Sequence, residues 1–559
     1  MAESLTSEAL WYQHPDAQVW AGYLQLATDA WDGIGGFAAL HDTDTDNNRA
    51  TGLPQGWRTY LVKHPQEDPA KYAWRVRNAV YPPLPRLVGE TLTAFLFSRG
   101  PTRDGTAMDL DEWAKNADGS GNNLSSVLRR LAIHAQLFPF GLAQIGAPDG
   151  DYESQADAIA GEWAPYVNII HPGMLFDWRR SNGKFTAAKL VDKVAEGKID
   201  EVGTTWTRCR ILTQESDRTV KIATYRQDEK GRPAKLFGEK SLAISEVPLV
   251  VVSFADSVVP DALSGAAPLG LIVDDARGLY NDLSLLYEHI AAQCFATLTY
   301  QEESKGKQIA PLVIGSNNAL RYPVGTNAPA FIAPPESVAA TLFRCIEERI
   351  RRIYRMARLE FVLNDAQNAP SSGVARQYEF QTTNRALSAM ALCMAEAERQ
   401  IAGHVAAFAG RDAVEFRSSY IVSWPDDFDC KDLEAEIRRT SDAMLLPFDS
   451  ITKAALLKTL RDDLVTLNGQ DLLDSNAELE AKSETDVAPQ EILTASTDKA
   501  AVVTVNEARA NMGLGPLPGA HGNLTVAELA SVQAAEKAAA MAKANPGKPA
   551  DTQQQPQAE

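Results

Sequence analysis

The stretch PLGLIVDDARGLYNDLSLLYEHIAAQCFATL, Pro268 to Leu298, decides the fold. Its apolar side chains fall at Leu269, Ile272, Val273, Ala276, Leu279, Tyr280, Leu283, Leu286, Tyr287, Ile290 and Cys294, mostly three or four apart, the stripe of an α-helix. A second stretch, Val338 to Leu363, repeats the spacing with Val338, Leu342, Ile346, Ile350, Ile353, Ala357 and Phe361, and as one helix it would span about 39 Å. Between them, Thr299 to Pro335 carries Gly306, Gly315, Gly325 and prolines from Pro311 to Pro334, so it predicts a turn-rich excursion rather than a helix. After the second stretch comes a polar loop, NDAQNAPSSG (Asn364 to Gly373). It leads to a third helical pattern, Ala375 to Ala409, with Leu387, Met390, Met394, Ile401, Val405 and Phe408 on one face.

Upstream, Lys184 to Phe254 changes to short runs rich in Val, Ile, Thr and Tyr (KIATYR, VPLVVVSF), the pattern of a small antiparallel sheet. Earlier still, KYAWRVRNAVYPPLPRLVGETLTAFLF begins as a helix, breaks at Pro82, Pro83 and Pro85, and resumes at Leu87. Turn clusters at Asp42 to Gly52 and Lys115 to Asn123 divide this Trp-, Pro- and Gly-rich first third, which reads as α+β. Downstream, a strand-like YIVSW (Tyr420 to Trp424) precedes a helical, acidic remainder. Residues 425–559 hold 23 acidic and 12 basic residues, so −11 of the net −19 lies there. The last stretch is an Ala-rich helix running into a polar tail without core-forming residues.

A chain of 559 residues with 45% apolar and 23% charged side chains can bury several cores. Its net charge of −19 excludes a protein that grips nucleic-acid phosphates tightly. Cys209, Cys294, Cys345, Cys393 and Cys430 are scattered without a CxxC pair, which suits a reducing interior rather than a zinc ribbon or disulfide framework. The N-terminus has acidic residues where a signal peptide would be basic. The most apolar run, Val247 to Ala255, is too short to span a bilayer, so a soluble, intracellularly made protein is expected.

No phosphate-binding GxxxxGK[ST] or GxGxxG loop occurs, and neither HExxH nor GxSxG is present. Eight dispersed histidines include no i, i+4 pair. SITK (Ser450 to Lys453) matches a Ser-x-x-Lys nucleophile pattern but lacks the Ser-Asp-Asn and Lys-Thr-Gly partner elements of those hydrolases. Asp42, Asp44 and Asp46 begin like a calcium loop, yet Asn47 stands where glycine is needed and Leu53 where the closing glutamate belongs, so a solvated loop is expected. The run Arg349, Arg351, Arg352, Arg355 and Arg358 gives the second helix a net positive charge. It is either a solvated face with pairs such as Glu347 to Arg351 and Glu348 to Arg352, or a face turned toward DNA or an acidic neighbour.

Several segments, in order, resemble the portal proteins of tailed bacteriophages and prophages. They are Tyr60-Leu61-Val62-Lys63 with Glu67, Tyr72, Arg75 and Gly89; PYVNIIHPGMLFDWR (Pro165 to Arg179); PLGLIVDDARGLYNDLSLLY (Pro268 to Tyr287); SSGVARQYEFQTTNRALSAMALCMAEAERQI (Ser371 to Ile401); and TVNEARANMGLGPLPG (Thr504 to Gly519). Val62 departs from the family, which has proline there, and Asp42 to Gly52 looks like an insertion. The resemblance implies an α+β portal fold: a mixed α/β wing (1–267) with its β-rich unit, a first stem helix (268–298), a clip (299–335) and a second stem helix (336–363). A tunnel loop (364–375), a long wing helix and strand (376–425), a helical crown (426–530) and a disordered tail (531–559) would follow.

The same resemblance implies a cyclic homo-dodecamer at one capsid vertex of the virion, made in the host bacterial cytoplasm. Its partners would be the terminase large subunit, the major capsid and scaffolding proteins, a head-tail adaptor protein, and double-stranded DNA passing without sequence specificity. No enzyme activity, cofactor, metal or membrane is expected. The tunnel loop puts Asn364, Asp365, Gln367, Asn368, Ser371, Ser372 and Gly373 toward DNA, and Arg351, Arg352 and Arg355 are candidate DNA- or subunit-facing cations. The alternatives are another phage virion or scaffolding protein, or a Ser-Lys hydrolase built on Ser450 and Lys453.

Overall fold

Prolines and short polar side chains set where the helices begin. Asp68 accepts hydrogen bonds from the Ala70 and Lys71 amides (3.1 and 3.2 Å) just ahead of a helix whose first residue is Pro69, and Asn123 accepts from the Ser126 amide (2.9 Å) ahead of another. The computed structural model describes residues 4–37, 59–103, 108–148, 164–197, 203–215, 218–255, 263, 266–294, 297–299, 330–332, 335–360, 362, 373–428, 450–464 and 474–479. The chain divides into two units, Met1–Cys430 and Lys431–Glu559.

In chain order the first unit begins with β1 (Ser4–Leu5), α1 (Ser7–Trp11), α2 (Pro15–Asp32), α3 (Pro69–Asn78), α4 (Leu84–Leu96), β2 (Thr102–Arg103), α5 (Met108–Lys115) and α6 (Leu124–Leu137). The strands β3 (Gly141–Gly146), β4 (Tyr166–Ile170), β5 (Leu175–Ser181), β6 (Lys184–Glu196), β7 (Thr204–Gln214), β8 (Val220–Gln227), β9 (Ala234–Leu242) and β10 (Leu249–Val252) follow. Then come α7 (Gly270–Cys294), β11 (Thr297–Thr299), β12 (Ala330–Ile332), α8 (Glu336–Met356), α9 (Gly373–Phe408), α10 (Ala413–Ser419) and β13 (Val422–Ser423). The fold is mixed α/β. The break between α3 and α4 includes the expected Pro82 and Pro83, but the helix resumes at Leu84 rather than Leu87, because Pro85 sits in its first turn where the missing N–H would have no intrahelical partner.

Six strands form an antiparallel sheet in the order β1-β9-β8-β7-β6-β5. Asn182 and Gly183, both at positive φ, make the tight β5–β6 turn. Period-two alternation sends Trp178, Leu190, Leu212 and Val220 into one core with Phe140 and Trp20, and Val191, Cys209, Ala223 and Tyr225 into another with Leu10 of α1. The outer edge of β5 is blunted. The Phe176 carbonyl accepts from the His14 amide (2.7 Å), the Trp178 amide donates to Asp177 (3.0 Å), and the Trp178 carbonyl accepts from Arg179 (2.7 Å).

One expectation changes here. The β-rich stretch from Lys184 to Phe254 does not make a single sheet: the six-stranded sheet already begins at Leu175 and takes in Ser4–Leu5, while LVVV joins β10-β3-β4. That run is apolar at every position because β10 is buried beside α9, with Leu249 facing one core and Val250 and Val252 the other. In the second unit, α11 (Ser450–Leu464) is followed by a helical run at 474–479, and Arg461 donates to Ser475 (3.0 Å) and Asn476 (2.8 Å). The Asp42 to Gly52 loop, the Thr504 to Gly519 segment and the tail at 531–559 lie outside the described residues.

Two histidines withdrawn from solvent, His404 fully and His134 in part, make stability depend on pH. Burial holds His404 down at about 4, with Glu246 opposing and Arg417 and Lys184 reinforcing the shift; burial does the same to His134, aided by His171 and Arg130. The unfolded chain binds these protons near pH 6.5 and the folded chain only near 4. Stability from the neutral rings is therefore complete above about pH 6.5 and lost as the pH falls toward 4, by at most about 3 kcal/mol for each. His404→Gln should flatten the dependence of the urea midpoint on pH between 6.5 and 4, and an unchanged slope would contradict the assignment.

Candidate functional site

Helices α7 and α8 form an antiparallel pair joined through a narrow heptad seam. Of the 21 residues of α8, Ala339, Ile346 and Ile353 are buried, each seven from the next. They share a cluster with Ile272, Leu279 and Leu286 of α7, which also recur every seven residues. A period of 3.5 keeps one stripe on its partner along both helices. Arg349 clasps the seam from the side, donating to Asp282 (2.8 Å) and Asp275 (3.1 Å), while Arg352 pairs with the same Asp275 (2.8 Å from Nε). Gly278 makes room for this clasp, since a Cβ there would stand 2.4 Å from a guanidinium nitrogen of Arg349. At the far end, His289 bonds the Pro335 carbonyl (3.1 Å), and β11 pairs antiparallel with β12, Thr297 opposite Ile332.

The N-terminal residues that carry the family resemblance converge on α7. Arg75, its side chain 2% exposed, donates twice from one nitrogen to the Glu67 carboxylate (2.9 Å each) and from Nε to Ser284 of α7 (3.1 Å). Lys71 pairs with Glu288 (2.9 Å), and the Tyr72 hydroxyl donates to the Leu61 carbonyl (2.9 Å). Gly89 lets α4 close on Trp31 and Leu269, where a Cβ would come within 2.6 Å of the indole. Val62 makes a bond that proline could not, its amide donating to Asn281 (2.7 Å), while Asn281 donates back to the Tyr60 carbonyl (3.0 Å).

The expected second helix stops early. Instead of reaching Leu363, α8 ends at Met356, and Arg358 takes the left-handed conformation (φ 60°). The Arg358 amide donates to the Arg355 carbonyl (3.0 Å) and the Leu359 amide to the Tyr354 carbonyl (2.8 Å), the paired bonds of a Schellman termination. Arginine in the place usual for glycine costs about 1 kcal/mol. Burial of Leu359, 1% exposed, offsets it. The first helix is likewise shorter than Pro268 to Leu298, and Thr297–Thr299 is strand.

Of the candidate DNA-facing residues, Asn364, Asp365, Gln367, Asn368, Ser371 and Ser372 lie outside the described residues, and Gly373 is the first residue of α9 rather than part of a loop. The pairs Glu347 to Arg351 and Glu348 to Arg352, one of the two readings of this face, give way to others. Arg351 pairs with Glu348 (3.3 Å), Arg352 reaches across to Asp275, and Arg355 pairs with Glu360 (3.1 Å). The Asp275 hydrogen bond raises the Arg352 pKa, and Glu360 does the same for Arg355. Ser450 and Lys453 stand on the first turn of α11.

Sequence reasoning missed a buried carboxylate. Glu398 of α9, 0% exposed, accepts from Arg103 (2.5 Å), Tyr420 (2.9 Å) and Trp424 (2.9 Å) and so ties α9 to the β2–β13 pair. The YIVSW run signalled a strand but not this partner. Among the described residues no cluster of His, Cys, Asp or Glu is placed to hold a metal ion, and no helix is long and apolar enough to cross a membrane.

No protein-family model matches the chain, and no curated protein matches it. Among solved structures, the chain is similar to one from the neck of an empty GTA particle, computed with C6 symmetry. The likeness has 11% identity and a TM-score of 0.36 and covers 66% of this chain and 88% of that one.

The clasp predicts non-additive mutations. Gly278→Ala should gain about 1 kcal/mol of helix propensity, but the new Cβ displaces Arg349 from Asp275 and Asp282 and cancels the gain. In an Arg349→Met background the same change should stabilise by about 1 kcal/mol in urea unfolding. Equal effects in both backgrounds would show that Arg349 does not lie over Gly278.

Proposed function

We propose that this chain is a portal protein of a tailed phage or prophage. Twelve copies would close into a ring at one capsid vertex, pass the genome inward under a terminase motor and outward at ejection, and offer the excursion 299–335 as the dock for the motor and then for neck proteins. The observation that carries the reading is the order of elements: an antiparallel helix pair in heptad contact, an excursion entered and left through a two-stranded ribbon, a stretch of polar sequence, then a 36-residue helix. The family-like segments follow the same order along the sequence. No catalytic step, cofactor or metal is required for this role.

The helix pair supports ring formation because its seam leaves apolar side chains uncovered. Leu285, Tyr287, Val338 and Phe343 are 40%, 39%, 43% and 49% exposed. Head-to-tail contacts that close produce rings, and such contacts would cover these residues. A conduit must let a polyanion slide, so a chain of net charge −19 and a polar sequence stretch with Asn364, Asp365, Gln367, Asn368, Ser371 and Ser372 fit low adhesion. Arg351, Arg352 and Arg355 each hold a carboxylate of their own subunit, so they present little net positive charge to a passing duplex.

Sedimentation of the purified chain should give a particle of about 730 kDa, twelve times 60.8 kDa. Phe343→Asp should shift it toward the monomer while leaving the far-ultraviolet circular dichroism unchanged, because Phe343 is half exposed in the single chain. Affinity for duplex DNA should be weaker than about 1 µM in physiological salt and independent of sequence. A monomer at all concentrations, or nanomolar DNA binding, would contradict the proposal.

A further inference from the structure

Two chain segments far apart in sequence are held by neighbouring polar side chains of α9. The Thr383 hydroxyl, fully buried, donates to the carbonyl of Arg358 in the turn that ends α8. The next residue, Asn384, accepts from the Phe428 amide (2.8 Å) through its side-chain oxygen and donates to the Asp427 carboxylate (2.8 Å) through its side-chain nitrogen. One turn on, the Ser388 hydroxyl reaches the Asp426 carbonyl (2.5 Å). The apolar residue beside each anchor, Leu359 on one side and Phe428 on the other, enters the same core cluster as Leu387 of α9.

From this juxtaposition we infer that Thr383, Asn384 and Ser388 form a shared joint, through which the turn at 357–360 and the strap at 426–428 are held in one register and yield together. The reasoning is steric and polar. Arg358 sits in the left-handed conformation with its carbonyl aimed at Thr383, so a movement of the turn must break that bond or carry α9 with it. Asn384 is bonded through both atoms of its amide, so the strap cannot slide along α9 without leaving a donor and an acceptor unmatched. Leu359, Leu387 and Phe428 belong to one continuous buried cluster, which gives the two segments a packed route through which to yield together. The strap ends at the boundary with the second unit, and the turn precedes the stretch 363–372. The joint does not rest on the portal reading.

Hydrogen exchange of the full chain, followed by mass spectrometry, tests it. Asn384→Ala breaks bonds only to the strap, yet it should speed exchange at least about fivefold both at 426–428 and in the turn at 357–360. Thr383→Val, which breaks a bond only to the turn, should do the same at both places, and Thr383→Ser, which keeps the hydroxyl, should change neither. Should either variant fail to fold, Ser388→Ala, which loses only the strap bond and an intrahelical one, is read in the same way. Faster exchange confined to the segment each variant bonds would overturn the joint, whether or not the protein forms rings.

Discussion

The buried contact between Arg75, Glu67 and Ser284 fixes the frame on which the rest is built. A guanidinium withdrawn this far from water is tolerable only when its partners are close and well aimed, and losing one partner of such a pair costs about 3–5 kcal/mol. The contact sets α3 against α7, and the neighbouring bonds from Val62 to Asn281 and from Lys71 to Glu288 fix the register along the helix. With α7 fixed on that side, its heptad stripe of Ile272, Leu279 and Leu286 is free to take α8. Arg349 then sets the register of the second helix through Asp275 and Asp282. Each step depends on the one before it, so the helix pair inherits its placement from a single ion pair in the N-terminal region.

Charge is used differently in the two parts of this frame. Arg75 is sealed from solvent and acts as a specific pin, whereas Arg349 is partly exposed and shares one of its two carboxylates, Asp275, with Arg352. The first arrangement resists any change of partner. The second leaves the outer face of α8 with arginines already matched by carboxylates of the same chain.

The long helices were legible because their apolar residues recur at helical spacing, and the heptad seam could have been read from Ile272, Leu279 and Leu286 against Ala339, Ile346 and Ile353. Helix ends were less legible. Nothing in the sequence around Arg358 announces a left-handed residue, because the usual glycine is missing and the turn is held instead by Leu359 and Thr383. The pairing of Arg352 is not legible to i, i+4 rules, which see only one helix, while Asp275 lies on the other. The VPLVVVSF run was assigned to the wrong sheet for a related reason: its partner, Gly141–Gly146, is about a hundred residues away, and period-two patterning carries no information on which strand it joins. The motif residues between Tyr60 and Gly89 were recognisable as a pattern, but their common purpose, docking on α7, needed the geometry.

The proposed function requires the helix pair to build a closed ring around an axial channel. Electron micrographs of the purified full chain viewed end-on test it most directly. The account predicts a twelve-fold ring with an opening wider than the roughly 20 Å of a DNA duplex. Solid particles without an axial opening, or open filaments, would contradict it.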